Sequence, residues 1–278
     1  MLRAAGSVLD PDLGDHVCLP FEGERERMTA TGMFTLNGLR RQVKVLIITH
    51  ADSPERTRQW LTPLVPGLAD AEAAGRLEIR AGAGTHLAGG RLDPERALGR
   101  LAAAGDRARA QGHRGLYALV DASWGAADPP GQVAFEAATN ALFGQRWLAA
   151  VCQYDRALFT GEALDRAACV HPISPGQAML RYTGVASPAG LRLHGDIDLT
   201  NRHAFASILE PLRDEPGEVA IDATGVDFID AGSTQVLVSL AMARPPGRTV
   251  VLCGGRLARL LRLIKATDLI TVRRVGDV

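Results

Sequence analysis

The run Val43-Lys44-Val45-Leu46-Ile47-Ile48-Thr49 sets the first constraint on the fold. Val45 to Ile48 are apolar without alternation, and such a strand needs cover on both faces, as the central strands of parallel sheets have. Further short strand-like runs lie at His16–Phe21, Leu77–Arg80, Gly115–Val120 and Trp147–Tyr154, with helical patterns between them. Strands spaced by helices of about 10 to 20 residues build βαβ units, whose ligands gather beyond the carboxyl ends of the strands. Asp121, Ser123, Trp124, Tyr154 and Asp155 fall at such ends and are expected to converge on a pocket. Ser53-Pro54, Asp93-Pro94 and Asp128-Pro129 each place a capping side chain before a proline, the pattern that opens a helix.

The chain has 278 residues, more than one core ordinarily serves, so two domains are expected. His171-Pro172-Ile173-Ser174-Pro175-Gly176 has the punctuation of a linker and places the boundary between 1–175 and 176–278. Lysine plus arginine equals aspartate plus glutamate at 31 each, which gives no attraction for nucleic acid or an anionic membrane. No apolar run approaches the ~20 residues of a membrane span, and the first residues lack the apolar core of a signal peptide. A cytoplasmic protein is expected. Cys18, Cys152, Cys169 and Cys253 have no disulfide-like spacing, which suits a reducing compartment.

In the second half, Val219–Leu240 begins with the strand-like Val219-Ala220-Ile221, passes through Asp222, Thr224 and Gly225 to Phe228-Ile229, and becomes helical from Ser233. Asp230, Ala231, Gly232, Ser233 and Thr234 thus sit at a helix mouth, where unpaired backbone N–H groups favour an anion. The mouth either receives phosphate or is capped by Asp230, Ser233 or Thr234. Thr249–Cys253 is another strand. Arg256–Ile264 is an amphipathic helix with Arg256, Arg259 and Arg262 off its apolar face, the pattern of a packed helix with a solvated side.

Leu191–Val272 resembles a STAS domain, the module of anti-sigma-factor antagonists. The resemblance rests on Gly195-Asp196-Ile197-Asp198, the strand Val219–Asp222, the approach Val226–Ile229 and Asp230, in that order. It implies that Asp230–Thr234 and the following helix bind an anti-sigma factor with a histidine-kinase-like ATPase domain. In the family the residue after this aspartate is a phosphorylated serine. Here it is Ala231, which has no hydroxyl, and Ser233 or Thr234 remain as nearby acceptors.

Residues from about Leu13 to Pro172 resemble the MEDS sensory domain. The matching pieces are Gly14-Asp15-His16-Val17-Cys18, Gly89-Gly90-Arg91-Leu92-Asp93-Pro94, Asp121-Ala122-Ser123-Trp124, Asp128-Pro129-Pro130, Glu136, Asn140, Cys152-Gln153-Tyr154-Asp155 and His171-Pro172. The family is similar in plan to RecA-type ATPases without a phosphate-binding loop. The Gly-rich segment Ala81–Gly90 agrees, because it holds no Gly-Lys-[Ser/Thr] and reads as a loop. The resemblance implies an α/β fold with an N-terminal parallel sheet flanked by helices, followed by a mixed-sheet STAS domain. It also implies sensing of a small hydrophobic or one-carbon-related ligand. His16, Cys18, Asp121, Trp124, Glu136, Asn140, Cys152, Tyr154, Asp155 and His171 are the ligand-sensing candidates.

His16, Cys18, Cys152 and His171 have the atoms for a two-Cys, two-His metal site, but Cys-x-x-Cys and His-x-x-x-His pairs are absent, so no metal or cofactor is assigned. A Cys-His-Asp constellation can be drawn from Cys18 or Cys152 with His171 and Asp121, yet nothing in the spacing singles it out and no Gly-x-Ser-x-Gly elbow occurs. The reading is a regulator of anti-anti-sigma type, not an enzyme. Its alternatives are a stand-alone ligand, redox or metal sensor, or an unrecognised enzyme.

Overall fold

In the computed structural model, which describes residues 8–84, 87 and 92–274, the chain separates into two units, Met1–Ala167 and Ala168–Val278. The first contains β1 (His16–Phe21), α1 (Gly23–Arg40), β2 (Lys44–Thr49), α2 (Pro54–Leu61), α3 (Leu68–Ala73), β3 (Leu77–Ala81), α4 (Pro94–Ala110), β4 (Leu116–Asp121), α5 (Pro129–Phe143) and β5 (Leu148–Asp155), and the division after Ala167 falls within α6 (Gly161–Val170). Its sheet is parallel throughout, in the order β1-β5-β4-β2-β3. Every residue of β2 is buried, as an unalternated apolar run requires. The helices α3 and α6 were not evident in the sequence pattern.

The three Pro-led helices start where the cap residues place them. Ser53 accepts from the Arg56 N–H, Asp93 from the Arg96 N–H and Asp128 from the Gly131 N–H. Trp147 fixes α4 from below: a Cβ at Gly105 would stand 2.0 Å from its ring, so only glycine lets helix and indole meet. Of the expected loop Ala81–Gly90, Gly82–Gly84 form a short 3-10 turn. Residues 85, 86 and 88–91 lie outside the described residues, and with them Gly89, Gly90 and Arg91 of the sensory pattern. The first seven residues and the last four lie outside them too.

The second unit contains β6 (Leu180–Ala186), β7 (Ala189–Ile197), α7 (Arg202–Leu209), β8 (Val219–Ile229), α8 (Ala231–Met242), β9 (Thr249–Cys253), α9 (Gly255–Leu263) and β10 (Ile270–Arg274). Its sheet runs β10-β9-β8-β7-β6, antiparallel only between β6 and β7. It is a mixed sheet with helices.

Three sequence expectations change here. The polar residues Asp222, Thr224 and Gly225 do not interrupt the chain, because β8 is one strand of 11 residues. Register shifts in its pairing with β7, one of them between Arg192 and His194, absorb the irregularity. A Cβ at Gly225 would lie 2.2 Å from His194 Nδ1, so this glycine answers a close approach rather than a turn. The helix begins at Ala231, not Ser233, and a tenth strand, β10, follows the amphipathic helix. No helix among the described residues is long and apolar enough to cross a membrane.

Candidate functional site

In the first unit a cavity of about 230 Å³ lies between one face of the sheet and the helices α4 and α5. Its existence follows from small side chains. Ala97 and Ala104 on α4 face Ala118 on β4 and Ala150 on β5. Interiors otherwise pack to a density of about 0.74, so four alanines at facing positions leave space that leucines would fill. Leu46, Ile48, Leu116 and Val120 supply the rest of the sheet wall.

One end of the cavity is polar and buried. His16 on β1, Glu136 on α5 and Cys152 on β5 all line it. His16 Nε2 lies 3.3 Å from Glu136 Oε2 and 3.6 Å from Cys152 Sγ, and the sulfur lies 3.7 Å from Glu136 Oε2. The imidazole is held from two other directions. Its Nδ1 is 2.8 Å from Asn140 Oδ1, and its ring stacks on Phe143 with centroids 4.4 Å apart. Tyr154 donates its hydroxyl to Glu136 Oε1 at 3.2 Å. Glu136, Asn140 and Phe143 share one helix face because they are spaced by four and three residues. Burial, reinforced by the charge of Glu136, pushes the Cys152 thiol and the Tyr154 phenol well above their ordinary values.

The opposite end carries charge. Lys44, Glu78, Arg80, Arg100 and Arg107 line it, and Lys44 bridges Glu78 and Gln111. Burial raises the Glu78 carboxyl, but Lys44 and Arg80 outweigh it and hold the group below the ordinary range. None of these residues stood out in the sequence. The signal was present on α4, where Ala97, Arg100, Ala104 and Arg107 recur at helical spacing.

The strand-end residues do not converge. Tyr154 joins the polar cluster. Asp121 instead accepts the backbone N–H groups of His50 and Ala51 and, through its other oxygen, that of Ser123, tying two loops together. It lines a second space of about 10 Å³ with Gln153 and Arg27, room for a water and no more. Asp155 accepts from the Ala157 N–H, and Trp124 packs edge-on against Phe135. Cys18 is buried beside Cys152 across the β1–β5 pair and is not among the cavity-lining residues. His171 is buried and belongs to the second unit. The larger space thus lies on the sheet face rather than beyond the strand ends, because the alanines are on the face.

In the second unit, Asp230 caps α8 by accepting the Ser233 N–H. Arg202 on α7 lies 2.8 Å from Asp230 Oδ2 and 3.3 Å from the Ser233 hydroxyl. Burial raises the Asp230 carboxyl, but the bonds from Ser233 and Arg202 outweigh it and bring it below the ordinary range. The anion-favouring helix mouth is therefore filled by the protein's own carboxylate. Gly232 leaves room for the guanidinium, since a Cβ there would meet it at 2.5 Å. Ser233 and Thr234 are wholly buried, and Thr234 donates its hydroxyl to the Asp230 carbonyl. Ala231, Gln235, Ser239 and Met242 form the exposed side of α8, which holds no charged residue. Phe228, at the end of β8, is 54% exposed and Met242 is 70% exposed.

The described residues thus hold a buried polar cluster on a cavity in one α/β unit and a capped strand-to-helix mouth in the other. Residues 15–172 match the family model described as "MEthanogen/methylotroph, DcmR Sensory domain", abbreviated MEDS, and residues 180–272 match the model described as "Mlab, STAS domain". The chain belongs to the MEDS family and carries a STAS domain after it. No curated protein matched the chain.

Proposed function

We propose that the protein is a cytoplasmic antagonist of an anti-sigma factor, with the functional boundary in the linker 171–176. The STAS half docks a partner of histidine-kinase-like ATPase fold at Asp230–Thr234 and along α8. The MEDS half binds a small, largely apolar molecule and controls that docking. No catalytic step is part of this reading.

The observation that supports docking most is the exposed, uncharged side of α8 with Ala231 at its start and Phe228 beside it. A helix uncharged on its outer side, with the exposed Met242 at its end and an exposed aromatic before its start, is a surface suited to a protein partner. For the MEDS half the support is the cavity, lined by aliphatic side chains with polar groups at its two ends. Control of docking requires that the ligand bind more tightly to one arrangement of the chain than to the other.

The test is titration calorimetry of the full chain against the anti-sigma factor encoded by the same host. The Ala231→Glu substitution places a charge on the exposed mouth and is expected to weaken binding at least tenfold. Undiminished binding would reject this surface. For the sensory half, small aliphatic alcohols and halides are screened by thermal shift, and a ligand that raises Tm is expected.

A further inference from the structure

We propose that His16 Nε2, Glu136 Oε2 and Cys152 Sγ together hold a first-row transition-metal ion of the Zn²⁺ class on the wall of the cavity. This deepens the sensory part of the reading above and is independent of partner docking. Sequence spacing argued against a metal because it looks for ligand pairs close along the chain. These three donors come from β1, α5 and β5 and meet only in the fold.

The distances are the first argument. Bonds of about 2.0–2.3 Å from zinc to nitrogen, oxygen and sulfur, at tetrahedral angles, separate the donor atoms by about 3.3–3.6 Å. The three separations here are 3.3, 3.6 and 3.7 Å. As a direct contact the His16–Glu136 pair is long, since a charge-assisted N–H···O bond is about 2.7–2.9 Å, while the two sulfur contacts have the length of ordinary S–H hydrogen bonds. As edges of a coordination polyhedron all three fit.

The surroundings are the second argument. A metal-bound histidine almost always donates its other ring N–H to a carbonyl or carboxylate, which fixes the tautomer. Asn140 Oδ1 stands at that place, and the stacked Phe143 ring holds the plane. A metal-bound carboxylate is likewise held by a hydrogen bond, and the Tyr154 hydroxyl supplies one to Glu136. This is the supporting shell of a metal site, assembled from residues nine-tenths or more buried.

Charge and softness select the ion. A carboxylate and a thiolate balance a divalent cation in a medium where an uncompensated charge is costly. On binding, the Cys152 S–H bond gives way to a metal–sulfur bond and its proton leaves to solvent. One sulfur, one imidazole and one carboxylate favour Zn²⁺, Co²⁺ or Fe²⁺ over Mg²⁺ or Ca²⁺, which take oxygen donors. All three donor residues line the cavity, so a molecule entering it meets the ion. Ligands with a lone pair on a small apolar body, such as a thiol, an alcohol or an amine, fit both.

The test uses the full chain stripped with a chelator and titrated with Co²⁺. A thiolate-to-cobalt charge-transfer band and the strong visible bands of tetrahedral Co²⁺ are expected, both bleached by Zn²⁺. C152S should abolish the charge-transfer band, and H16Q and E136Q should each weaken Co²⁺ at least tenfold. N140A should weaken it by about 10- to 100-fold while leaving the band shape intact. C18S should leave spectrum and affinity unchanged. Circular dichroism checks the fold of each variant, and X-ray absorption at the zinc edge of the unmutated chain reports sulfur in the first shell without any substitution. Absence of the band, its survival in folded C152S, its loss in C18S, or a zinc shell without sulfur would each overturn the assignment. Docking of the partner is measured separately, so a failure of either reading is distinguishable from failure of the other.

Discussion

Arg202 and Asp230 close over the start of α8, with 2.8 Å between guanidinium nitrogen and carboxylate oxygen, although they are 28 residues apart in sequence. The same carboxylate caps the helix, so a single side chain serves both an ion pair and a backbone donor. Two substitutions separate these duties. Asp230→Asn keeps the cap and removes the charge. It should cost about 0–1 kcal/mol at neutral pH, the range of partly exposed ion pairs. Asp230→Ala removes the cap as well and should cost about 1 kcal/mol more. The pH dependence has a definite sign. The folded carboxyl ionises below the ordinary aspartate value of about 3.9, so its stabilisation is complete above that value and is lost as pH falls through the folded one. Urea denaturation of the unmutated chain and Asp230→Asn between pH 7 and pH 3 should show the two curves converging only at the acid end.

Phosphorylation offers a second check at the same mouth. The hydroxyls of Ser233 and Thr234 are buried and already bonded, whereas Ala231 is exposed. Mass spectrometry after incubation with a kinase of the partner class should find no phosphate on either hydroxyl in the folded chain. Ala231→Ser should create an acceptor, and phosphate at position 231 in that variant alone is the expected result. Modification of Ser233 in the unmutated chain would show that the first turn of α8 opens.

The cavity makes a prediction opposite to the usual behaviour of cores. Adding methylenes to a well-packed interior costs typically about 1–3 kcal/mol. Ala118 is fully buried on β4, yet its side chain faces open space. Ala118→Leu should therefore leave stability unchanged or raise it, measured by chemical denaturation. It should also abolish any ligand-induced rise in Tm, because the substituted side chain occupies the space the ligand needs. A loss of several kcal/mol would mean that the space closes in solution.

The architecture was legible where local chemistry dictates it. Val45–Ile48 announced a central strand, and Ser53, Asp93 and Asp128 announced helix starts, because these signals act within a few residues. Glu136 and Asn140 were singled out by resemblance, and their four-residue spacing already put them on one face of a helix. What escaped was anything that depends on pairing across the chain. His16 meets Glu136 and Cys152 because β1 lies beside β5, and no periodicity states which strands are neighbours. The cavity escaped for a related reason: Ala97, Ala104, Ala118 and Ala150 are unremarkable singly and create space only when they face one another. Gly225 misled because a glycine among polar residues ordinarily marks a turn, and here it accommodates the His194 ring.

The strand order has a consequence for how the molecule comes into being. β1 leaves the ribosome well before β5, which is its hydrogen-bonded neighbour in the sheet among the described residues and follows more than a hundred residues later. Contacts so distant along the chain form late. The strand that carries His16 therefore has no partner in the sheet until Leu148–Asp155 has been synthesised, and a nascent or truncated chain that stops short of it lacks the assembled polar cluster.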